Sequence, residues 1–281
     1  MHYQVFGEGR RTVLLLPSWS VVHSGLWARQ VPHLAGHYTV IAFDGRGNGA
    51  SDRPTGPDAY SDWEFAADAL AVLDSLGVED AVVVSMSGGA ASGLILAASS
   101  PERVSASIFI APGLSLTPPY PDRAAASALF DAPQSSYDGW LKFNRHYWLE
   151  DWQGFLEFFS AECFSEPDSA EEIRQWVDMG LQTSPQVILD TVEADGPDAE
   201  EERRLIASLS QPVLVIHGTD DHVIPIARSE ELARLTGGTL AVVDGSGHEP
   251  QYRHAVEVNA VLDTFLNEHY PPIGEPAQPK N

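Results

Sequence analysis

Six short apolar runs, each closed by turn residues, restrict this chain more than any other feature of its sequence: Val13–Leu16, Val40–Phe43, Ala81–Val84, Ser107–Ile110, Val213–Ile216 and Leu240–Val243. Continuous rather than alternating hydrophobicity marks strands covered on both faces, the condition of a parallel sheet. Segments of helical period lie between them, such as 61–76, where Phe65, Ala69, Val72, Leu73 and Leu76 share one stripe. Strands alternating with helices predict the α/β class, with a doubly wound, mostly parallel sheet. The 281 residues are enough to bury one such core plus an insertion.

Three of the runs end in residues that carry chemistry. After Ala81–Val84 comes Ser85-Met86-Ser87-Gly88-Gly89-Ala90-Ala91, a small-residue turn from strand to helix that would push the Ser87 hydroxyl outward. After Val213–Ile216 comes His217-Gly218-Thr219-Asp220-Asp221-His222, with Asp221 the favoured acid and Asp220 its substitute. After Leu240–Val243 comes Asp244-Gly245-Ser246-Gly247-His248, a glycine-flanked loop able to present an imidazole. A serine hydroxyl needs a base within hydrogen-bond reach, and neutral imidazole titrates in the working range. In that scheme His248 takes the proton, and Asp221 fixes its tautomer and stabilises the imidazolium. The chain order serine, acid, histidine differs from those of chymotrypsin and subtilisin.

On these residues the chain resembles the α/β-hydrolase superfamily, in its cap-bearing branch of serine hydrolases, over residues 3 to 268. Two further runs support the resemblance: Asp44-Gly45-Arg46-Gly47-Asn48-Gly49-Ala50-Ser51 and Pro101-Glu102-Arg103-Val104. Arg46 is expected to tie loops together rather than touch substrate. The resemblance implies an oxyanion hole of two backbone N–H groups. At the elbow these point to Gly88 in preference to the Met86 side; in the loop after the first apolar run they point to Trp19, since Pro17 has no N–H. That loop, Leu16-Pro17-Ser18-Trp19-Ser20, departs from the His-Gly found in many relatives.

The resemblance further implies a core of residues 1–113 and 211–270 and a helical cap at 114–210. Residues 271–281, rich in proline, are expected to be a disordered tail. Within the cap, helical patterns fall near 122–130, 137–149, 152–163, 169–183 and 185–194. Trp140, Phe143, Tyr147 and Trp148 share a stripe of the second. With Ser18 and Trp19 they are the expected lining of a pocket for an apolar or aromatic substrate.

A formal charge of −24 disfavours nucleic acid and anionic membranes as partners, leaving a small molecule, with homodimerisation open. Cys163 is the one cysteine, so no intrachain disulfide forms. No stretch is long and apolar enough to span a bilayer, and Met1–Arg10 has no basic segment followed by an apolar run, so a cytoplasmic location is expected. No metal or other cofactor is expected, because no cluster has ligand spacing and the alternating Gly45, Gly47 and Gly49 are not a dinucleotide loop. The expected reaction is hydrolysis of a small carboxylic ester or lactone through an acyl-enzyme. The alternatives are a carbon-carbon bond hydrolase of a diketone, a cofactor-free perhydrolase or haloperoxidase, and a ligand receptor of low turnover.

Overall fold

The computed structural model describes residues 1–273, so residues 274–281 of the expected tail lie outside the described residues. Seven strands form one sheet: β1 (Tyr3–Phe6), β2 (Thr12–Leu15), β3 (Thr39–Phe43), β4 (Ala81–Met86), β5 (Val104–Ile110), β6 (Val213–Gly218) and β7 (Thr239–Val243). Their spatial order is β1-β3-β2-β4-β5-β6-β7. All neighbours are parallel except β1, which runs antiparallel to β3 with Tyr3 opposite Phe43. β1 has no continuous apolar run and is mostly exposed, which is why its sequence gives no strand signal.

Most of the runs read as doubly covered strands are buried, with every residue of β2, β4 and β6 buried, but Leu240–Val243 is not: β7 is the edge strand beyond β6, and Val242 on it is 45% exposed. Alternate side chains feed opposite layers. Val13, Leu15, Val40, Ala42, Val82 and Val84 join one core, and Leu14, Ile41, Phe43, Ala81 and Val83 join another. The second is closed by the helix Asp62–Ser75 through Ala66, Ala69, Val72 and Leu73, with Ser61 accepting from the Glu64 N–H as its cap. The first is closed by the helix Ala255–His269 through Val258, Leu262, Phe265 and Leu266, and it runs without a break into the aromatic residues of segment 114–210.

That segment holds the helices Pro121–Ser127, Arg145–Glu150, Trp152–Cys163, Ala170–Gly180 and Pro185–Glu193. The single helix expected over 137–149 is broken. A 3-10 turn covers Gly139–Lys142, and the helix restarts at Arg145, where the Asn144 side-chain Oδ1 accepts from the His146 and Tyr147 N–H groups as its cap. A helix that the periodicity missed, Ala199–Ser208, packs on the core helices Gly89–Ser99 and Ala227–Thr236.

Topology places the site. The chain leaves β2 to one side for β3, then crosses back to β4 on the other, so the loops after β2 and β4 diverge over a crevice. Further strands add outward in order, setting the ends of β6 and β7 on the same rim.

Candidate active site

Ser87 follows the last residue of β4 with φ +50°, in the left-handed region. A non-glycine residue held there stores about 1–3 kcal/mol of strain, which the surroundings must over-determine. They do: the Ser87 N–H donates to the Ile110 carbonyl at 3.0 Å, and its own carbonyl accepts from Ala90 at 3.1 Å and Gly113 at 2.9 Å. The helix Gly89–Ser99 comes close to β4 at Gly93, where a Cβ would sit 2.8 Å from the Ser85 hydroxyl oxygen. Glycine at 93 therefore makes room for serine, rather than the more usual glycine, two places before the elbow residue.

The structure brings Ser87, His248 and Asp221 together. The His248 Nε2 lies 2.8 Å from the Ser87 Oγ, and its Nδ1 lies 2.7 Å from the Asp221 Oδ2. The other carboxylate oxygen accepts from the Val223 and Ile224 N–H groups at 2.7 and 2.9 Å. Asp220, the substitute acid, has an exposed carboxylate that lies 3.6 Å from the His222 ring. Burial alone would pull the His248 imidazole down, but the charge and hydrogen bond of Asp221 outweigh it, so its pKa stands above the ordinary histidine value. Burial would likewise raise Asp221, yet the His248 charge and the hydrogen bonds from His217 and His248 hold it well below the usual carboxylate range.

His217 lies near the end of β6. It is fully buried, and its Nε2 lies 3.0 Å from the Ile224 carbonyl and 3.2 Å from the Asp221 Oδ2, with its Nδ1 2.6 Å from the Ser229 hydroxyl. With the Nε2 proton shared between Ile224 and Asp221, the ring steadies the acid from below. The acid and histidine loops are also stitched to each other. Asp220 N–H donates to the Ser246 carbonyl at 2.9 Å, and a Cβ at Gly218 would collide with the Ser246 and Gly247 carbonyls.

Gly88 sits at the head of the helix Gly89–Ser99 with its Cα side facing Trp19: a Cβ there would lie 3.4 Å from the Trp19 N. Neither the Gly88 nor the Trp19 N–H has a hydrogen-bond partner in the protein among the described residues. Both residues line the cavity of about 330 Å³ that opens on Ser87. Met86 belongs to β4, paired with Ile110, and its carbonyl is taken by the Ser18 hydroxyl at 3.1 Å.

The pocket expected from the sequence is partly redrawn. Trp19 and Phe143 line this cavity; Ser18, Trp140, Tyr147 and Trp148 do not. Ser18 turns back toward Met86 and borders a smaller adjoining cavity instead. Trp148 is buried among Phe130, Phe143 and Phe155, Trp140 packs edge-on to Phe158 and Phe159, and Tyr147 donates to Asp151. The four do not form one helical stripe, because Trp140 lies in the 3-10 turn Gly139–Lys142, and Tyr147 and Trp148 lie in the separate helix Arg145–Glu150. In their place stand Gly113, Pro119, Arg123, Ser127, Phe159, Val192, Val223, Ile224 and Arg228, from several separate elements. Trp19 ties the crevice to the segment above it, donating from its Nε1 to Thr191 at 2.8 Å and packing 5.4 Å from Phe159.

Arg46 braces loops as expected, bidentate to Asp68 at 2.6 and 2.7 Å and donating to the Ala59 carbonyl. Among the described residues no helix is long and apolar enough to cross a membrane.

The model of the alpha/beta hydrolase fold family matches residues 11–255. Similar characterised sequences include 3-oxoadipate enol-lactonase 2 of Acinetobacter baylyi, 27% identical, covering 94% of each chain. The non-heme chloroperoxidase of Streptomyces lividans is also 27% identical, covering 85% of this chain and 86% of the other. Among solved structures, Est816, described as an N-acyl homoserine lactone degrading enzyme, superposes with a TM-score of 0.76 at 27% identity over 94% and 96% of the two chains. With most of its length matched by that model and its sheet in the corresponding order, the chain belongs to the α/β-hydrolase fold family.

Proposed function

We propose that this protein is a serine hydrolase that cleaves a carboxylic ester or lactone through an acyl-enzyme. Ser87 attacks the carbonyl carbon as His248 takes its proton, and Asp221 stabilises the imidazolium without being protonated. The Gly88 and Trp19 N–H groups hold the oxyanion, worth about 3–4 kcal/mol per donor in sites of this kind. Collapse expels the alkoxide, which takes the proton from His248. Water, deprotonated by the same imidazole, then attacks the acyl-serine and releases the acid and free Ser87. The observation that carries this reading is the 2.8 and 2.7 Å relay from the Ser87 Oγ through His248 to Asp221, beside two unpartnered N–H groups.

The lactonase relatives favour an ester or lactone, and the likeness to a chloroperoxidase favours a second use of the same acyl-enzyme. Hydrogen peroxide in place of water would release a peracid and regenerate the serine. Labelling by a fluorophosphonate probe, together with hydrolysis of 4-nitrophenyl acetate, tests the first reading. Both are expected in the wild type and absent from Ser87→Ala, and their persistence in that variant would overturn it. Labelling without turnover would instead point to a receptor, and peroxide-dependent bromination of monochlorodimedone would reveal the perhydrolase.

A further inference from the structure

We propose that Arg123 and Arg228 form an anion-binding subsite beside Ser87, so that the substrate is an ester or lactone carrying a carboxylate; this rests on the serine hydrolase reading above. Both arginines line the cavity that holds Ser87, Gly88 and Trp19. Each is fixed by one guanidinium nitrogen. The Arg123 Nη1 donates to the Val223 carbonyl, and the Arg228 Nη1 donates to the Gly113 carbonyl at 3.1 Å. Those contacts place the two cations on the loops that carry the chemistry. Val223 donates to Asp221, and Gly113 donates to the Ser87 carbonyl.

What remains of each guanidinium is unanswered by the protein. Neither arginine makes an ion pair among the described residues, and the buried Nε of Arg228, a residue only 8% exposed, has no hydrogen-bond partner. Arg123 is flanked by the faces of Trp140 and Phe143, 5.1 and 6.0 Å away, which exclude water from one side of it. Burying two like charges together is unfavourable, and the local carboxylates relieve it only in part: Asp221 and Asp122 act on Arg123 and Glu202 on Arg228, none of them as an ion pair. Both oxygens of Asp221 are occupied by His248, His217, Val223 and Ile224, while Glu202 accepts from the Ser115 N–H and burial pushes it up to about 7. The paired arginines show the strain themselves: burial and Arg228 together pull Arg123 down to about 10, still charged at neutral pH. In a chain of formal charge −24, a shared cationic wall at the nucleophile is a specific feature, and a planar carboxylate suits guanidinium donors.

Two matched ester pairs test this. One compares 4-nitrophenyl hydrogen glutarate with its neutral methyl ester and reads an anion on the acyl side. The other compares 4-acetoxybenzoate with 4-acetoxybenzamide and reads an anion on the leaving group. The anionic member of at least one pair is expected to have the higher kcat/KM by about tenfold or more, a charge-assisted hydrogen bond's worth of selectivity. That ratio should fall toward one in Arg123→Gln and Arg228→Gln and recover in part in Arg228→Lys. Ratios at or below one for both wild-type pairs, or ratios unchanged in both glutamine variants, would overturn the subsite. Fluorophosphonate labelling, run on every variant, separates the two claims and reports folding: labelled protein with no selectivity sinks the subsite alone. If the wild type is not labelled, the hydrolase reading fails, and calorimetric titration with glutarate decides the subsite. Binding weakened in both glutamine variants would support the subsite, and equal or absent binding would overturn it.

Discussion

Replacing Glu249 with glutamine should make the stability of this protein less dependent on pH, by an amount that follows from where the carboxyl lies. Glu249 is 5% exposed beside His248, and its oxygens accept from the Trp176 Nε1 at 3.1 Å and the Gln251 Nε2 at 2.6 Å. Burial outweighs these two bonds and the His248 charge and raises its pKa from 4.5 to about 7. A carboxyl whose folded pKa is raised binds its proton more tightly in the native state. Its contribution is therefore complete below the unfolded value of 4.5 and is lost as pH climbs to about 7. Between about pH 5.5 and about pH 9 the wild type should lose about 2 kcal/mol from this group alone. Glutamine is nearly isosteric, accepts one of the two bonds, and can donate to the Gln251 Oε1, which is buried without a partner. Urea unfolding followed by tryptophan fluorescence at the two pH values gives the stability of each protein. The difference, variant minus wild type, should rise by about 2 kcal/mol from the lower to the higher pH. A difference constant to within about 0.5 kcal/mol would show that Glu249 is solvated or compensated, and the desolvation argument would fail.

Three further expectations follow from other parts of the structure. Because His248 must be neutral to act as base and its pKa lies above the ordinary histidine value, kcat/KM should fall on acidification with a midpoint above 6.5; a midpoint below it would contradict the raised value. Exchanging His217 for leucine removes one donor from Asp221 and should lower kcat about tenfold, with KM little changed, as one hydrogen bond to a charged group is worth about 1.5–3 kcal/mol; an unaltered kcat would reduce the ring to packing. Trp148→Phe discards a buried indole N–H that has no partner and should stay within about 1 kcal/mol of wild type, whereas Phe155→Ala, 4.7 Å away in the same cluster, should lose about 3–5 kcal/mol in thermal or urea unfolding.

What could be read beforehand depended on whether the signal was local. The buried strands could be read because coverage on both faces demands apolar residues at every position, as in Ala81–Val84 and Val213–Ile216. Ser87, Asp221 and His248 each lie in the turn or loop that follows an apolar run, so strand ends alone suggest their convergence. β1 could not be seen, since an edge strand needs neither alternation nor continuity, and Tyr3 and Val5 remain exposed. The pocket wall was misjudged for a different reason. Period identifies the inward face of a helix but not what that face meets, and the chain breaks at Asn144 between Trp140 and Tyr147. Arg123 and Arg228 gave no local signal, because their meeting depends on residues 105 apart in sequence being folded over one elbow.

The same separation explains why the imidazole is positioned from outside its own loop. His248 donates its backbone N–H to the Cys163 carbonyl at 2.9 Å, at the end of the helix Trp152–Cys163, and Gly247 donates to the Glu166 carboxylate at 2.9 Å. Ser246 and the ring of His254 also approach that carboxylate, at 3.3 and 3.5 Å. A glycine-flanked loop has little rigidity of its own, so the geometry of 2.8 Å to Ser87 is set by the segment packed over it as much as by β7. That segment in turn is joined to the elbow side through Trp19 and Thr191. Movement of the helix end at Cys163 would therefore carry the base away from the nucleophile. Any opening that admits substrate while keeping the relay intact must come from parts of the pocket wall that do not touch the histidine loop, such as Phe143 and Val192.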